Sequence, residues 1–366
     1  MQTIVARGYP EVGYASSFDY GYCLSKFSFI EHKDLYTMSN HAVDLGDDQL
    51  NDRVAAGVAA VERLLHDETN RGASFVSDKA QHLSEAGGKR FRPIMSLLSS
   101  EFGSEPGSEK VIKAATVVEM VHVATLYHDD VMDEADRRRG VESANSRWNN
   151  SVAILAGDAL LAHASRLMSQ LDTHTVEQFA ATFEELVTGQ MRETVGAGEA
   201  NPIDHYMKVI QEKTAVLIAS AGYFGAYHSG APKEHAEALR TIGGAIGMVF
   251  QIVDDIIDIF SESHESGKTP GTDLREGVFT LPVLYALEED SEAGQGLREL
   301  LTGPLEADED VERALELLRA SKGRERALEV VQRYIDIVSA ECATLPDIPA
   351  TRALRNLASY TADRVG

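Results

Sequence analysis

Cysteine is nearly absent from this chain of 366 residues, which carries only Cys23 and Cys342. Two thiols make neither a disulfide framework nor a cysteine zinc site, so a reducing cytosol is the expected compartment. Positive charge is scarce as well. The 34 Lys and Arg stand against 58 Asp and Glu, a formal charge of −24, which argues against the basic surface of a nucleic-acid binder. A chain this acidic repels anions in general, so an anionic substrate would need a local island of cations or bound metal. The first thirty residues lack a basic start followed by an apolar run, and so show no secretory pattern. No alternating strand series and no repeat of fixed length are present. The uncharged run Thr214 to Pro232 is broken by Ser220, Gly222, Gly225, His228, Ser229 and Gly230, and reads as a buried core helix rather than a membrane span.

Hydrophobic residues make up 43% of the chain, ample for a packed interior in one large domain or two modest ones. Residues 1–40 stand apart. Tyr9, Tyr14, Tyr20, Tyr22 and Tyr36 crowd there with Phe18, Phe27 and Phe29, without a steady period. They read as an N-terminal appendage upstream of Met38, with a small docking segment as the alternative. Residues 41–366 read as a single all-α domain. Val111, Ala114, Ala115, Val118, Val121 and Leu126 build one inward stripe between Val111 and Asp133. Similar helical patterns run over Ala153–Met168, Val176–Met191, Tyr206–Tyr227, Glu234–Phe260, Ala314–Leu318 and Ala327–Ala340. Turn signals separate them at Gly87-Gly88, Gly196 to Pro202, Gly230 to Pro232, Gly267 to Gly271, Gly303-Pro304 and Pro346 to Pro349.

Two aspartate clusters sit inside this apolar helical background: Asp129-Asp130-Val131-Met132-Asp133 and Asp254-Asp255-Ile256-Ile257-Asp258. The first and last aspartates of each are four residues apart, which puts their carboxylates on one helix face, one turn apart. Carboxylates beside an apolar core repel one another and lose hydration, at several kcal/mol unless a cation compensates. Hard oxygen ligands without cysteine favour magnesium, completed by substrate phosphate. The alternative, surface aspartates at two helix ends, has to apply twice.

Cations adjoin both clusters. Asp136 is followed by Arg137-Arg138-Arg139, whose planar forks suit diphosphate oxygens, although Arg137 by itself reads as part of a salt-bridged surface turn. Upstream lies Gly87-Gly88-Lys89-Arg90-Phe91-Arg92, where glycines free the backbone and cations follow. Downstream, Lys213-Thr214 head the uncharged helix, Gln251 precedes Asp254 by three residues, and the loop Gly267-Lys268-Thr269-Pro270-Gly271 can close over a phosphate.

In this order and spacing the motifs resemble the trans-isoprenyl diphosphate synthases, or polyprenyl synthetases, over Gly87 to Leu284. The resemblance implies an isoprenoid-synthase-type helical bundle around a central apolar cavity, with the two aspartate motifs facing each other across its mouth. It implies Asp129, Asp133 and Asp254 as magnesium ligands, with Asp130, Asp255 and Asp258 in outer or partial roles, for about three Mg2+ per active site. Arg138, Lys213, Thr214, Gln251 and Lys268 are then expected on the allylic diphosphate or its metal waters. Lys89, Arg92, His122 and Arg139 are expected on the diphosphate of isopentenyl diphosphate. The implied reaction is ionisation of the allylic carbon–oxygen bond, head-to-tail attack by the isopentenyl double bond, and loss of a proton to the released diphosphate. It needs no protein nucleophile, in keeping with the lack of a recognisable serine or cysteine triad, and apolar walls would guard the cation from water.

Ala124 and Thr125 lie about one turn below Asp129. In the family, bulky residues there floor the cavity, so small ones imply a long-chain product of about seven or more isoprene units, of the kind attached to respiratory quinones. Close helix packing is the other reason for small residues here, and a geranylgeranyl product the shorter alternative. A terpene cyclase is disfavoured because its second metal motif mixes Asn, Ser or Thr, and Glu. A non-catalytic regulatory subunit would be expected to lose one cluster or the cations. The resemblance further implies a cytoplasmic homodimer, with no nucleic acid and no transmembrane segment.

Overall fold

The computed structural model describes residues 44–260 and 270–365. The appendage at residues 1–40 and Lys268 lie outside the described residues. Within them the chain is helix after helix: α1 (Asp48–Thr69), α2 (Ser74–Glu85), α3 (Phe91–Ser100), α4 (Glu109–Met132), α5 (Ala144–Arg147), α6 (Asn150–Met168), α7 (Thr173–Val195), α8 (Pro202–Ile210), α9 (Val216–His228) and α10 (Lys233–Phe260). Helices Thr272–Glu276, Leu281–Leu287, Glu292–Leu300, Asp308–Ala320, Gly323–Thr344 and Pro349–Ala362 follow. The all-α expectation holds, with one addition. A two-residue antiparallel ladder pairs β1 (Arg137–Arg138) with β2 (Val141–Glu142), too short to leave an alternating signature.

Side-chain caps fix several helix starts. Asp47, Ser108, Asn149 and Asp172 each accept a backbone N–H from the first turn of α1, α4, α6 and α7. The expected single helix over Tyr206–Tyr227 is instead three joined pieces: α8, a π-helical segment Gln211–Ala215, and α9. Lys213 and Thr214 therefore do not head a helix; they sit on a π turn inside one. An uninterrupted apolar pattern cannot signal the one extra residue that a π turn inserts.

The centre of the bundle is α9, which packs against α10, α3 and α4 and is buried on almost every side. The uncharged run read as a core helix is one. Helix axes come this close because glycines remove side chains at the crossings. A Cβ on Gly225 would overlap the Ser96 carbonyl of α3, and one on Gly243 would meet the Ile218 carbonyl oxygen at 2.5 Å. Among the described residues one helix, α6, is long and apolar enough to cross a bilayer by length and composition. One face of it, Ala153, Ala156, Gly157, Leu160 and Ala164, is buried, and the helix packs along α4. The far side of α10 buries Met248, Val249, Ile252, Val253 and Ile256 against Leu281, Leu284, Ala327 and Val330 of the C-terminal helices.

Substituting Gly225→Ala forces a methyl group into the α3 backbone, where overpacking costs about 1–3 kcal/mol. Thermal unfolding should show that loss; an unchanged midpoint would mean that the α3–α9 crossing has slack.

Candidate active site

The first cluster lies at the C-terminal end of α4. Helix α4 is buried on most faces, but His122, Thr125 and Asp129, spaced three and four residues apart, are only half-buried. That spacing is one face, so these residues line an open stripe. Ala124, one position round the helix, is fully buried, and its carbonyl lies on the side of Gly157 in α6. Thr125 is thus the residue on Asp129's stripe, while packing against α6 also constrains Ala124.

The six aspartates differ sharply in what they touch. Asp133 is the exposed C-cap of α4, its N–H bonded to the Asp129 carbonyl at 2.8 Å. Burial pushes the Asp129 carboxyl up to about 6, with Asp133 and Glu193 adding repulsion and Lys213 and Arg138 opposing it. Asp130 is fully buried; Arg138 Nε donates to its Oδ1 at 2.5 Å, and its Oδ2 has no hydrogen-bond partner. Arg138 Nη2 is also 3.9 Å from Asp133. In the second cluster Asp254 is half-buried and paired with Arg364 at 2.9 Å. Asp255 is buried, accepting the Tyr206 hydroxyl and Gln251 Nε2, the latter at 2.9 Å. Burial raises its carboxyl to about 7. Asp258 accepts the Asp273 N–H at 3.2 Å.

Contacts between helices tie the π turn to α7 and to the second cluster. Lys213 Nζ donates to Glu193 of α7, and Thr214 Oγ1 donates to Gln251 Oε1 at 3.1 Å. Gln251 in turn reaches Asp255. The π turn can approach α7 because Gly189 lies against it: a Cβ there would be 2.5 Å from the Lys213 nitrogen.

A second group of cations gathers beside α4. Arg90 Nη1 donates to Glu119 at 2.9 Å, Nη2 to the Ser84 carbonyl at 2.8 Å, and Nε lies 3.3 Å from Glu62. Arg139 Nη1 donates to the Leu83 carbonyl at 2.9 Å. Arg92 has an inward Nε without a partner, and burial lowers its guanidinium to about 10, with Arg139 adding to the effect and Glu119 opposing it. His122 is held neutral, its pKa driven well down by burial and by Arg92 and Arg139. Lys89 is exposed beside them, and Arg137 donates to the Gly140 carbonyl in the hairpin.

Among the described residues no three acidic, histidine or cysteine side chains converge on a ready-made metal cage. The donor set nevertheless fits a hard cation completed by a ligand's oxygens. A half-buried carboxylate with like charges beside it, as at Asp129, is short of positive charge. Glu119, Glu193, Arg364 and Tyr206 escaped the sequence reading. For Glu119 a signal existed, a lone carboxylate inside the apolar run of α4. Arg364 offered none, because its contact is made by tertiary structure alone.

The polyprenyl synthetase family matches residues 73–318. The chain is 54% identical over 325 residues to the nonaprenyl diphosphate synthase of Mycobacterium tuberculosis, covering 88% of this chain and 97% of that one. A crystal structure of geranylgeranyl pyrophosphate synthase from Corynebacterium glutamicum, complexed with calcium and isoprenyl diphosphate, superposes with a TM-score of 0.83. Its identity is 63%, with 88% of this chain and 100% of that one covered. A decaprenyl diphosphate synthase structure from Rhodobacter capsulatus gives 0.79 at 34% identity, covering 87% and 99%.

Asp255 keeps its proton in the folded chain up to about 7, whereas its ordinary value is 3.8. The folded state therefore binds more protons between those values, and the group's contribution to stability falls as pH rises through them. Without divalent cation, wild type should lose thermal stability relative to Asp255→Asn as pH goes from about 4 to about 7. Calorimetry at several pH values checks this; parallel curves would contradict it.

Proposed function

The chain belongs to the polyprenyl synthetase family and is a prenyltransferase, and from that premise we propose that it makes a long-chain all-trans polyprenyl diphosphate. The substrates are isopentenyl diphosphate and an allylic prenyl diphosphate, joined head to tail, with Mg2+ as the metal. The observation that carries the reading is the half-buried stripe of His122, Thr125 and Asp129. It puts a cation-deficient carboxylate, a small side chain and an arginine-flanked histidine along one face.

When bound, about three magnesium ions would supply the positive charge that favours departure of the allylic diphosphate. Asp129, Asp133 and Asp254 would hold them, Asp254 exchanging its Arg364 partner for the metal. Lys213, Thr214, Gln251 and Arg138 orient the allylic diphosphate, joined by Lys268 through the family resemblance. Lys89, Arg92 and Arg139 bind the other diphosphate, and neutral His122 donates an N–H to it. The isopentenyl double bond attacks the allylic cation, and the proton then lost passes to the released diphosphate. Apolar walls below the mouth exclude the water that would quench the cation.

The small side chain of Thr125 on the half-buried stripe, rather than the packed Ala124, supports a product of about seven or more isoprene units suited to a quinone side chain. A geranylgeranyl product is the second reading, favoured by the name of the Corynebacterium structure at 63% identity. Exposed Ile154 and Leu155 on α6 and Val187, Met191 and Val195 on α7 support a homodimer. The reading carries with it a cytosolic location, in which the buried free thiol of Cys342 stays reduced.

Purified protein given labelled isopentenyl diphosphate and geranyl, farnesyl or geranylgeranyl diphosphate should form a magnesium-dependent product ladder ending in long chains, and none with chelator. A ladder stopping at geranylgeranyl diphosphate would establish the second reading instead; cyclic hydrocarbon would sink both. Thr125→Phe should shorten the longest product, read by the same chromatography. An unchanged length would remove Thr125 from the path of the chain.

A further inference from the structure

We infer that Glu119, which does not touch substrate, is the positioning residue of the isopentenyl diphosphate site, shaping the arginine cradle by holding Arg90 and Arg139 at once. The inference rests on the reading of that site given above. Glu119 sits on α4, three residues before His122 and so on a neighbouring position of the same face. It is 2% exposed. Its Oε1 takes Arg90 Nη1 at 2.9 Å and lies 3.9 Å from Arg139 Nη2. One carboxylate oxygen therefore ties three separate segments together: α4, the Gly87–Arg90 turn, and the end of the β1–β2 hairpin.

Backbone strain marks the same two arginines. Among the described residues only Arg90, Glu134 and Arg139 have positive φ without being glycine, at 48°, 49° and 52°. A left-handed conformation in such residues persists only when the surroundings over-determine it. At Arg90 they do: every part of the guanidinium fork is engaged, by Glu119, Ser84 and Glu62. All three nitrogens of Arg90 thus already have partners inside the protein, whereas Arg92 Nε has none. Arg90 acts as a bolt that presents Lys89 and Arg92. Arg139 is fixed from below by the Leu83 carbonyl and Glu119, and its guanidinium fills the space beside Gly88, where a Cβ would meet it at 3.3 Å. Three guanidiniums, Arg90, Arg92 and Arg139, thus stand against one buried carboxylate, Glu119, and half-exposed Glu62, which pairs with Arg90 alone. The island keeps the surplus positive charge that a diphosphate requires.

This role has an effect opposite in sign to simple charge. Removing a carboxylate near an anion site strengthens attraction for the anion, so if Glu119 were only a counter-charge its loss would tighten binding. If it positions the cradle, its loss weakens binding of that one substrate.

The test is steady-state kinetics on the full chain with KM measured separately for each substrate, plus thermal melting. Glu119→Gln, which keeps the shape and removes the charge, should raise KM for isopentenyl diphosphate about tenfold. KM for the allylic primer should stay within about twofold, and kcat should fall by a smaller factor than the first KM rises. Should Glu119→Gln fail to fold, Arg90→Lys carries the same expectation, since it keeps the charge and loses the fork. A lowered KM for isopentenyl diphosphate, or equal changes in both KM values accompanied by a drop in melting temperature, would overturn the inference. Arg92→Ala separates the two levels of argument. If it leaves KM for isopentenyl diphosphate unmoved, the site itself is misread and the inference falls with it. If it raises that KM while Glu119→Gln and Arg90→Lys do not, the site stands and the role of Glu119 is refuted.

Discussion

The structure is organised by the need to keep carboxylates of like charge together where little water reaches them. Asp129 and Asp255 are both pushed above the ordinary carboxylate range by burial, and each has like-charged neighbours in its own cluster. Left alone, such an arrangement would push the carboxylates apart or neutralise them by protonation. Several cations and donors beside the clusters answer that deficit. Arg138 spans Asp130 and Asp133, Arg364 covers Asp254, and Tyr206 with Gln251 holds Asp255. The carboxylates with the fewest protein partners, Asp129 and Asp133, are the ones free to meet an external cation.

The cations are divided by how completely the protein uses them. Arg90 has a protein partner at each of its three nitrogens; Arg92 keeps an unpartnered Nε. Lys213 is held by a single exposed carboxylate, Glu193, an ion pair of the kind that exchanges partners easily because it contributes little net stability. Internal pairing is thus uneven among the positive groups near α4 and the π turn, heavy at Arg90 and light at Arg92 and Lys213. The field is local, short-ranged and set by burial, whereas the overall charge of −24 governs only the distant surface.

Both aspartate clusters, and the cations next to them in sequence, were legible because the chemistry needs particular residue types at contiguous spacing. Helical patterning located α4, α6, α7 and α10 to within a few residues for the same reason: a buried stripe has a period. What stayed hidden depends on contacts between distant segments. Arg364 meets Asp254 across more than a hundred residues, and Glu193 reaches Lys213 only because Gly189 lets α7 approach. Ala124 and Thr125 looked equivalent in sequence, yet one is packed toward α6 and the other lies on the open stripe. Only the rotation of α4 about its own axis distinguishes them.

The π turn at Gln211–Ala215 has a bearing on how the joined helix from Pro202 to His228 is phased. One inserted residue rotates everything after it by about 100° relative to everything before it. The stretch ahead of the turn is therefore free to direct Tyr206 at Asp255, while the stretch behind it meets three other helices in a register that an unbroken α-helix could not satisfy simultaneously. The insertion works like a vernier between two scales. Removing one residue here would bring the halves back into step and leave a regular helix, but one of the two faces would then point at the wrong neighbour. At this place a change in chain length matters more than a change of side chain.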